Sequence, residues 1–479
     1  MEDTKNCASV IDEIVTRAAT AAAVFNELNQ RQTDAITRAV YMAAFDARVR
    51  LAKMAVEESG IGRWEDKVIK NVVASQLVYE QIRDLPTVGV VSRDVRLGIT
   101  EIAQPLGPIV AIIPCTNPTS TVIFKILIAL KTRNPIIIRP HPRTVNCSIE
   151  AARVCYEAAL EAGAPDDCVQ WRGDHSLEET SALMANRKVA LVLATGGGAL
   201  VHAAYSSGTP AIGVGSGNVP VLIERTADLA FTVDQILASK LFDNGTVCAS
   251  EQALVVEKAV AEPFAAELRG KGGYFLNARE TEQVGSFVFD AQKRVMNAAC
   301  VGKSAEYVAQ QAGINIPAGT RLLIAPLSEV SSNQPLSSEV LCPVIAYYVE
   351  PDFKNAIKRC IDLNYHGGVG HTASIFSNNE ERIREFSMLL NAGRILVNMP
   401  SSQGGVGGIY NTLPTSFTLG CGSGGHNITT DNITAHHLLN IQRVTHRRPN
   451  QRFFAFDQQL YLDESLRAPD IESVYNRNW

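Results

Sequence analysis

The chain has 479 residues, 46% of them hydrophobic and 19% charged, with a formal net charge of -5. That is a globular composition, long enough for two or three domains and without the basic excess that nucleic-acid binding requires. Ten cysteines occur with no CxxC pair and no Cys/His spacing that would build a zinc site, so neither a disulfide framework nor a metal is expected, and a reducing compartment is. The N-terminus Met1-Glu-Asp-Thr-Lys-Asn6 carries acid where a signal peptide has a basic region. No apolar run reaches the roughly 18 residues that would span a bilayer, which predicts a soluble cytoplasmic protein with no membrane partner.

Residues 8–82 repeat Ala, Leu, Ile and Val at spacings of three and four, a helical pattern that breaks and restarts at Ile61-Gly-Arg-Trp-Glu-Asp-Lys-Val-Ile-Lys-Asn71. Residues 88–104 alternate as strands, Val88-Gly-Val-Val-Ser-Arg93 and Ile99-Thr-Glu-Ile-Ala103, and predict a projecting ribbon. From residue 107 strands and helices take turns. Ile109–Ile113, Pro135–Ile138, Val189–Leu193 and Val219–Ile223 are continuous apolar strands, with helices predicted near 119–130, 145–162 and 198–207. Such a pattern predicts a parallel sheet covered on both faces. A second alternating region offers strands at Leu322–Ala325, Val344–Val349, Ala373–Phe376 and Arg394–Asn398. The basic cluster Arg443–Arg448 reads as a solvated face, and the last thirty residues as a peripheral tail.

Phe242-Asp-Asn-Gly-Thr-Val-Cys-Ala-Ser-Glu-Gln252 seats Cys248 in a loop of small residues that leaves room for a substrate carbonyl and for backbone N–H groups. Cys248 is the candidate nucleophile, with an inert buried thiol as the alternative. Pro114-Cys-Thr-Asn-Pro-Thr-Ser120 places polar groups at the carboxyl end of a strand, where open α/β sheets bind ligands. There the Asn117 amide is either an oxyanion donor or a helix cap. Thr195-Gly-Gly-Gly198 opens a helix directly after a strand and fits either a pyrophosphate site or a tight turn. Arg139-Pro-His-Pro-Arg143 also follows a strand, where a guanidinium would hold ribose hydroxyls or a 2′-phosphate, or simply sit on the surface. Glu339, in Ser338-Glu-Val-Leu-Cys-Pro343, is a ribose acceptor or an exposed loop acid.

Taken together, these segments resemble the aldehyde dehydrogenase superfamily. Within it they resemble the CoA-acylating branch found as the N-terminal half of bifunctional aldehyde-alcohol dehydrogenases and as stand-alone enzymes. The resemblance runs over roughly 10–447 through Ala52–Gly60, Glu65–Asn71, Ala204-Tyr-Ser-Ser-Gly208, Phe242–Gly245, Cys248–Gln252 and Thr418-Leu-Gly-Cys-Gly-Ser423. It implies an α/β fold of two Rossmann-like parallel-sheet domains and a bridging ribbon. The cofactor domain would comprise 1–84 and 107–246, the catalytic domain 247–432, and the assembly segments 85–106 and 433–479. It also implies Cys248 as nucleophile, Asn117 with the Cys248 backbone N–H as oxyanion hole, and His371 as a possible aid to thiol deprotonation, a structural histidine being the alternative. Thr116, Arg139, His141, Thr195, Gly196, Gly197, Gly215 and Glu339 would hold NAD or NADP, and the cation at Arg139 favours NADP. A homodimer or homotetramer is expected, and the short targeting helix that leads some relatives into microcompartments is not evident.

In Gly213-Val-Gly-Ser-Gly-Asn218, Val214 aligns with the glutamate by which hydrolytic relatives activate water. Without that base, worth about 10²–10⁴-fold, a Cys248 thioester should await coenzyme A and give acyl-CoA reversibly. An acyl-phosphate reductase, a hydrolytic enzyme with a base from elsewhere, and a catalytically idle scaffold subunit remain the alternatives. Acetaldehyde-like substrates are the default. Sulfoacetaldehyde or succinate semialdehyde would need a cation near Cys248.

Overall fold

A computed structural model describes residues 2–173, 176–290 and 295–477. The N-terminal periodicity folds as helices Glu2–Asn26, Gln30–Asp46, Arg48–Ser59 and Trp64–Val72. The break before Trp64 is made by Gly60 and Gly62, both left-handed at φ 65° and 77°, a region glycine enters without steric cost. Gly62 has a second reason to lack a side chain, since a Cβ there would lie 1.9 Å from a carboxylate oxygen of Asp243.

Five parallel strands form one sheet in the order Val169–Trp171, Ile136–Arg139, Ile109–Ile112, Leu191–Thr195, Ala211–Val214. The strands Ile109–Ile112 and Ile136–Arg139 are buried at every position, as apolar strands covered on both faces must be. The covering helix Pro118–Lys131 is itself buried over all its 14 residues. Its one mid-helix charge, Lys125, donates to the carbonyls of Ile112 (2.8 Å) and Leu193 (2.9 Å). Without a carboxylate to pair with, burial pushes the ammonium down to about 7.

Seven parallel strands form the second sheet in the order Gly273–Phe275, Leu322–Pro326, Val344–Glu350, Glu251–Glu257, Val219–Ile223, Gly370–Phe376, Ala392–Val397. Val219–Ile223, which follows the first region in chain order, therefore belongs to the second sheet, where it pairs with Glu251–Glu257 and Gly370–Phe376. The crossing from one sheet to the other takes place in Gly215–Asn218. Chain order alone hides this, because both sheets draw on the same kind of apolar strand.

The projecting ribbon is three-stranded and antiparallel: Gly89–Asp94, Ile99–Pro105 and Leu439–Thr445. The terminal segment carries the exposed helices Gln451–Ala455 and Ala468–Asn476, tied together where the Phe456 ring meets Tyr461 and Tyr475. Among the described residues no helix is long and apolar enough to cross a membrane, and no group of three His, Cys, Asp or Glu could hold a metal ion.

Candidate active site

Cys248 lies between the two sheets, just before strand Glu251–Glu257. The turn that delivers it is unusual, for Asp243, Asn244 and Gly245 are consecutively left-handed at φ 50°, 52° and 78°. Non-glycine residues adopt this region only when their surroundings compel them. Here the compulsion comes from the wholly buried Asp243 carboxylate. It accepts from Lys67 Nζ (2.8 Å), Lys70 Nζ, Thr246 Oγ1 (2.7 Å) and the Arg63 backbone N–H (2.8 Å). Against burial, the Lys70 and Lys67 ammonium groups hold the carboxyl below its usual range.

The same two lysines reach Thr116 and Asn117. Lys67 Nζ donates to the Thr116 carbonyl (2.8 Å), and Lys70 Nζ donates to Asn117 Oδ1 (2.6 Å). Asn117 occupies the cap position of helix Pro118–Lys131, yet its side chain makes no capping bond. Among the described residues its Nδ2 meets only Thr116 Oγ1, at 3.3 Å. Asn117 and Cys248 line one narrow cavity of about 40 Å³, otherwise walled mainly by apolar side chains such as Val73, Phe242, Val406, Phe417 and Leu419.

The half-buried Cys248 thiol is pushed up to about 12, first by burial and then by the Glu339 carboxylate, with the Arg394 guanidinium opposing. At rest it is therefore a protonated thiol. It packs in an apolar cluster with Val214, Val247, Ala249, Leu419 and Cys421. Val214, 3% exposed, is thus a hydrocarbon wall on the thiol's own cluster.

Glu339 Oε1 accepts from the Gly217 N–H at 3.0 Å, and burial pushes its carboxyl up to about 7. Gly217 is a glycine because a Cβ would come within 2.3 Å of the Cys248 carbonyl oxygen and 3.1 Å of the His371 ring. His371 is fully buried, with Nδ1 2.9 Å from Thr372 Oγ1 and Nε2 without a partner among the described residues. Burial, aided by Arg394, pushes the imidazole down to about 3, so it is neutral. Arg394 is a buried cation whose donors all go to neutral oxygens, including the carbonyls of His371 (2.7 Å) and Gly420 (2.5 Å).

On the other side of this cluster opens a cleft of about 710 Å³, lined by Gly198, Val201, His202, Gly215, Ser216 and Cys421 among others. Thr195 ends a central strand, and Gly197 caps helix Gly198–Tyr205. A Cβ on Gly197, Gly198 or Gly215 would meet nothing within 4 Å, whereas one on Gly196 would strike Leu200. An open helix N-terminus on a cleft of this size fits a dinucleotide pyrophosphate.

The remaining candidates lie elsewhere. Arg139 is 4% exposed, and its guanidinium donates to Thr180 Oγ1 (3.0 Å) and to the carbonyls of Arg172 (3.2 Å) and Ser176 (3.0 Å). It therefore staples the 172–180 segment rather than projecting into the cleft. His141 Nδ1 accepts from the Arg143 N–H at 3.1 Å in the same turn. Sequence reasoning quoted the segments bearing Lys67, Lys70 and Asp243 without giving these residues a role. Two lysines at i and i+3 on one face of a short helix, Trp64–Val72, were the available signal. Arg394, within an apolar strand, gave a second.

The aldehyde dehydrogenase family model matches residues 4–411. Bifunctional aldehyde-alcohol dehydrogenase of Escherichia coli (strain K12) is 43% identical over 456 residues, covering 94% of this chain and 51% of that protein. The chain thus spans about half the length of the bifunctional relatives it matches. Sulfoacetaldehyde dehydrogenase (acylating) of Bilophila wadsworthia is 36% identical over 91% of this chain and 94% of its own. The crystal structure of an acetylating aldehyde dehydrogenase from Geobacillus thermoglucosidasius superposes with a TM-score of 0.91 at 43% identity, covering 94% and 98% of the two chains. That of Rhodopseudomonas palustris propionaldehyde dehydrogenase, with bound CoA and an acylated cysteine, gives 0.80 at 26% identity, covering 91% and 97%. With two parallel sheets, a bridging ribbon and a thiol between them, the chain belongs to the aldehyde dehydrogenase family.

Proposed function

We propose that this chain is a CoA-acylating aldehyde dehydrogenase that converts a short, uncharged aldehyde to acyl-CoA through a thioester on Cys248. The observation that carries this reading is that Val214 is a buried hydrocarbon in the thiol's own packing cluster, and the family resemblance puts it where hydrolytic relatives have their water-activating glutamate. Relatives named as acylating, and a solved relative holding CoA and an acylated cysteine, support it.

The residues act in order. Cys248 sulfur adds to the aldehyde carbon, and the oxygen that becomes negative is met by Asn117 Nδ2 and a backbone N–H. The thiol proton must leave as this happens. His371, with Nε2 lacking a partner among the described residues, is proposed to accept a hydrogen bond from it and pass the proton to water rather than hold it, since burial keeps the imidazole neutral. The dinucleotide supplies the hydride acceptor when bound. Its phosphates are assigned to Thr195, Gly196 and Gly197, with Thr116, His141 and Gly215 as further contacts and Glu339 at the ribose. Gly197, Gly198 and Gly215 leave the cleft floor open for it. The thioester then persists because its apolar surroundings offer water no base at Val214, until the CoA thiol attacks the acyl carbon and Cys248 leaves as the thiolate. On this reading residues 1–84 and 107–214 carry the cofactor, a shorter span than the expected 107–246 because Val219–Ile223 pairs within the second sheet, and that sheet carries the thiol.

The cavity favours uncharged aldehydes. Lys70 is the one cation in its lining, and it is already bonded to Asp243 and Asn117. NAD or NADP is proposed as cofactor. A preference for NADP through Arg139 would require its guanidinium to leave Thr180, Arg172 and Ser176. The exposed ribbon, with Val90 and Val444 at 60% and 45%, is proposed as the assembly surface of a homodimer or homotetramer.

Product analysis tests the function. Acyl-CoA formed only with CoA present supports it, and free acid or acyl phosphate formed at the same rate without CoA rejects it. One observation favours a second reading, hydrolysis with Glu339 as base, since this carboxylate is near enough to raise the Cys248 thiol. Its Oε1 is already held by Gly217.

A further inference from the structure

Asn117 Oδ1, Lys70 Nζ and Asp243 form a continuous chain of hydrogen bonds at the wall of the thiol cavity. Lys70 is 3% exposed and also donates to Thr246 Oγ1 (3.2 Å) and the Thr246 carbonyl (3.3 Å), two residues before the nucleophile. The ammonium is thus anchored to the loop that carries Cys248 and, through Asn117, to the helix entrance opposite. An ammonium has only donors, and an amide offers one acceptor and two donors. A flipped Asn117 would set its NH₂ against the lysine, so only the orientation with Oδ1 on Lys70 is compatible. That leaves Nδ2, with one N–H on Thr116 Oγ1 at 3.3 Å, to turn its other N–H to the cavity.

We infer that Lys70 is the positioning residue of the oxyanion site: it fixes the Asn117 amide with Nδ2 available to the substrate oxygen and draws charge through Oδ1, so that the N–H is a stronger donor. Asp243, in its left-handed turn, holds Lys70 in place, and Lys67 ties the same carboxylate to the Thr116 carbonyl. The inference rests on the reading that Asn117 meets the developing oxyanion. It gives the buried Lys67–Lys70–Asp243 cluster a role beyond stability, for buried ion clusters are seldom the cheapest way to stabilise a fold.

The test is a double-mutant cycle on CoA-dependent aldehyde oxidation with Lys70→Gln, Asn117→Ala and the pair. Iodoacetamide labelling of Cys248 and thermal melting report whether the site is intact. Asn117→Ala is expected to lower kcat about 10²-fold, the usual effect of losing one oxyanion donor. Lys70→Gln is expected to lower kcat about tenfold or more with the aldehyde KM little changed, and the double variant to be no worse than Asn117→Ala alone. If Gln unfolds the cluster, Lys70→Met combined with Asp243→Asn, which removes both buried charges together, carries the same cycle. A Lys70 variant with wild-type kcat, or losses that multiply in the double variant, would overturn the inference while leaving Asn117 in its role. Wild-type kcat in Asn117→Ala would instead overturn the oxyanion reading itself, and the inference with it.

Discussion

The two openings beside the Cys248 cluster differ in size and in chemistry, Cys248 itself lining the first and its cluster neighbour Cys421 the second. On one side is a cavity of about 40 Å³ walled by valine, leucine and phenylalanine. On the other is a cleft of about 710 Å³ floored by glycines. The narrow side has room for a few carbon atoms, and its polar lining is the Lys70–Asn117 pair with Ser402, Gln403 and Ser416. The wide side is of a size for a dinucleotide. On the proposed function, the difference teaches that selection among aldehydes and selection of the second nucleophile are separate problems, met in different openings beside one apolar cluster.

Breaking the contrast at Val214 should have the largest effect. Val214→Glu puts a carboxylate into the thiol's apolar cluster, and CoA-independent formation of free acid is expected to rise about 10²–10⁴-fold, the usual contribution of a general base. Quantifying the acid by chromatography checks it. The narrow wall predicts the next effect. An anionic aldehyde would bury a charge with no free partner, so kcat/KM for acetaldehyde or propionaldehyde should exceed that for succinate semialdehyde by about 10² or more.

A smaller effect belongs to Glu339, whose negative charge raises the thiol. Removing that charge in Glu339→Gln favours the thiolate, so the pH dependence of iodoacetamide labelling should shift to lower pH. In the wild-type protein, labelling should climb through pH 7–10 without a plateau, because the thiol titrates near 12. Smallest of all, Arg139→Gln should change the ratio of kcat/KM for NADP over NAD less than about threefold, since the guanidinium is bonded to the 172–180 segment. A tenfold loss confined to NADP would restore Arg139 as a phosphate contact.

The strand-helix alternation and the ribbon were legible because apolar runs and period-two patterns are local properties. The membership of Val219–Ile223 in the second sheet was not, since it depends on its hydrogen bonds to strands Glu251–Glu257 and Gly370–Phe376, the latter some 150 residues away in sequence. Cys248 and Asn117 stood out from their loops and from the family resemblance. The lysines behind Asn117 could be seen as residues but not as partners, because the bond from Lys70 to Asp243 spans 173 positions. Arg139 shows the opposite failure: its place after a strand suggested a free cation, and only the side-chain geometry shows where its donors go.

The claim that everything depends on is the survival of the Cys248 thioester. It is tested most directly by mixing the protein with aldehyde and oxidised cofactor in the absence of CoA and following reduced cofactor by absorbance. The account predicts a burst of one equivalent per site that then stalls and restarts at once when CoA is added. Continuous turnover through many equivalents without CoA, with free acid accumulating in step, would contradict it.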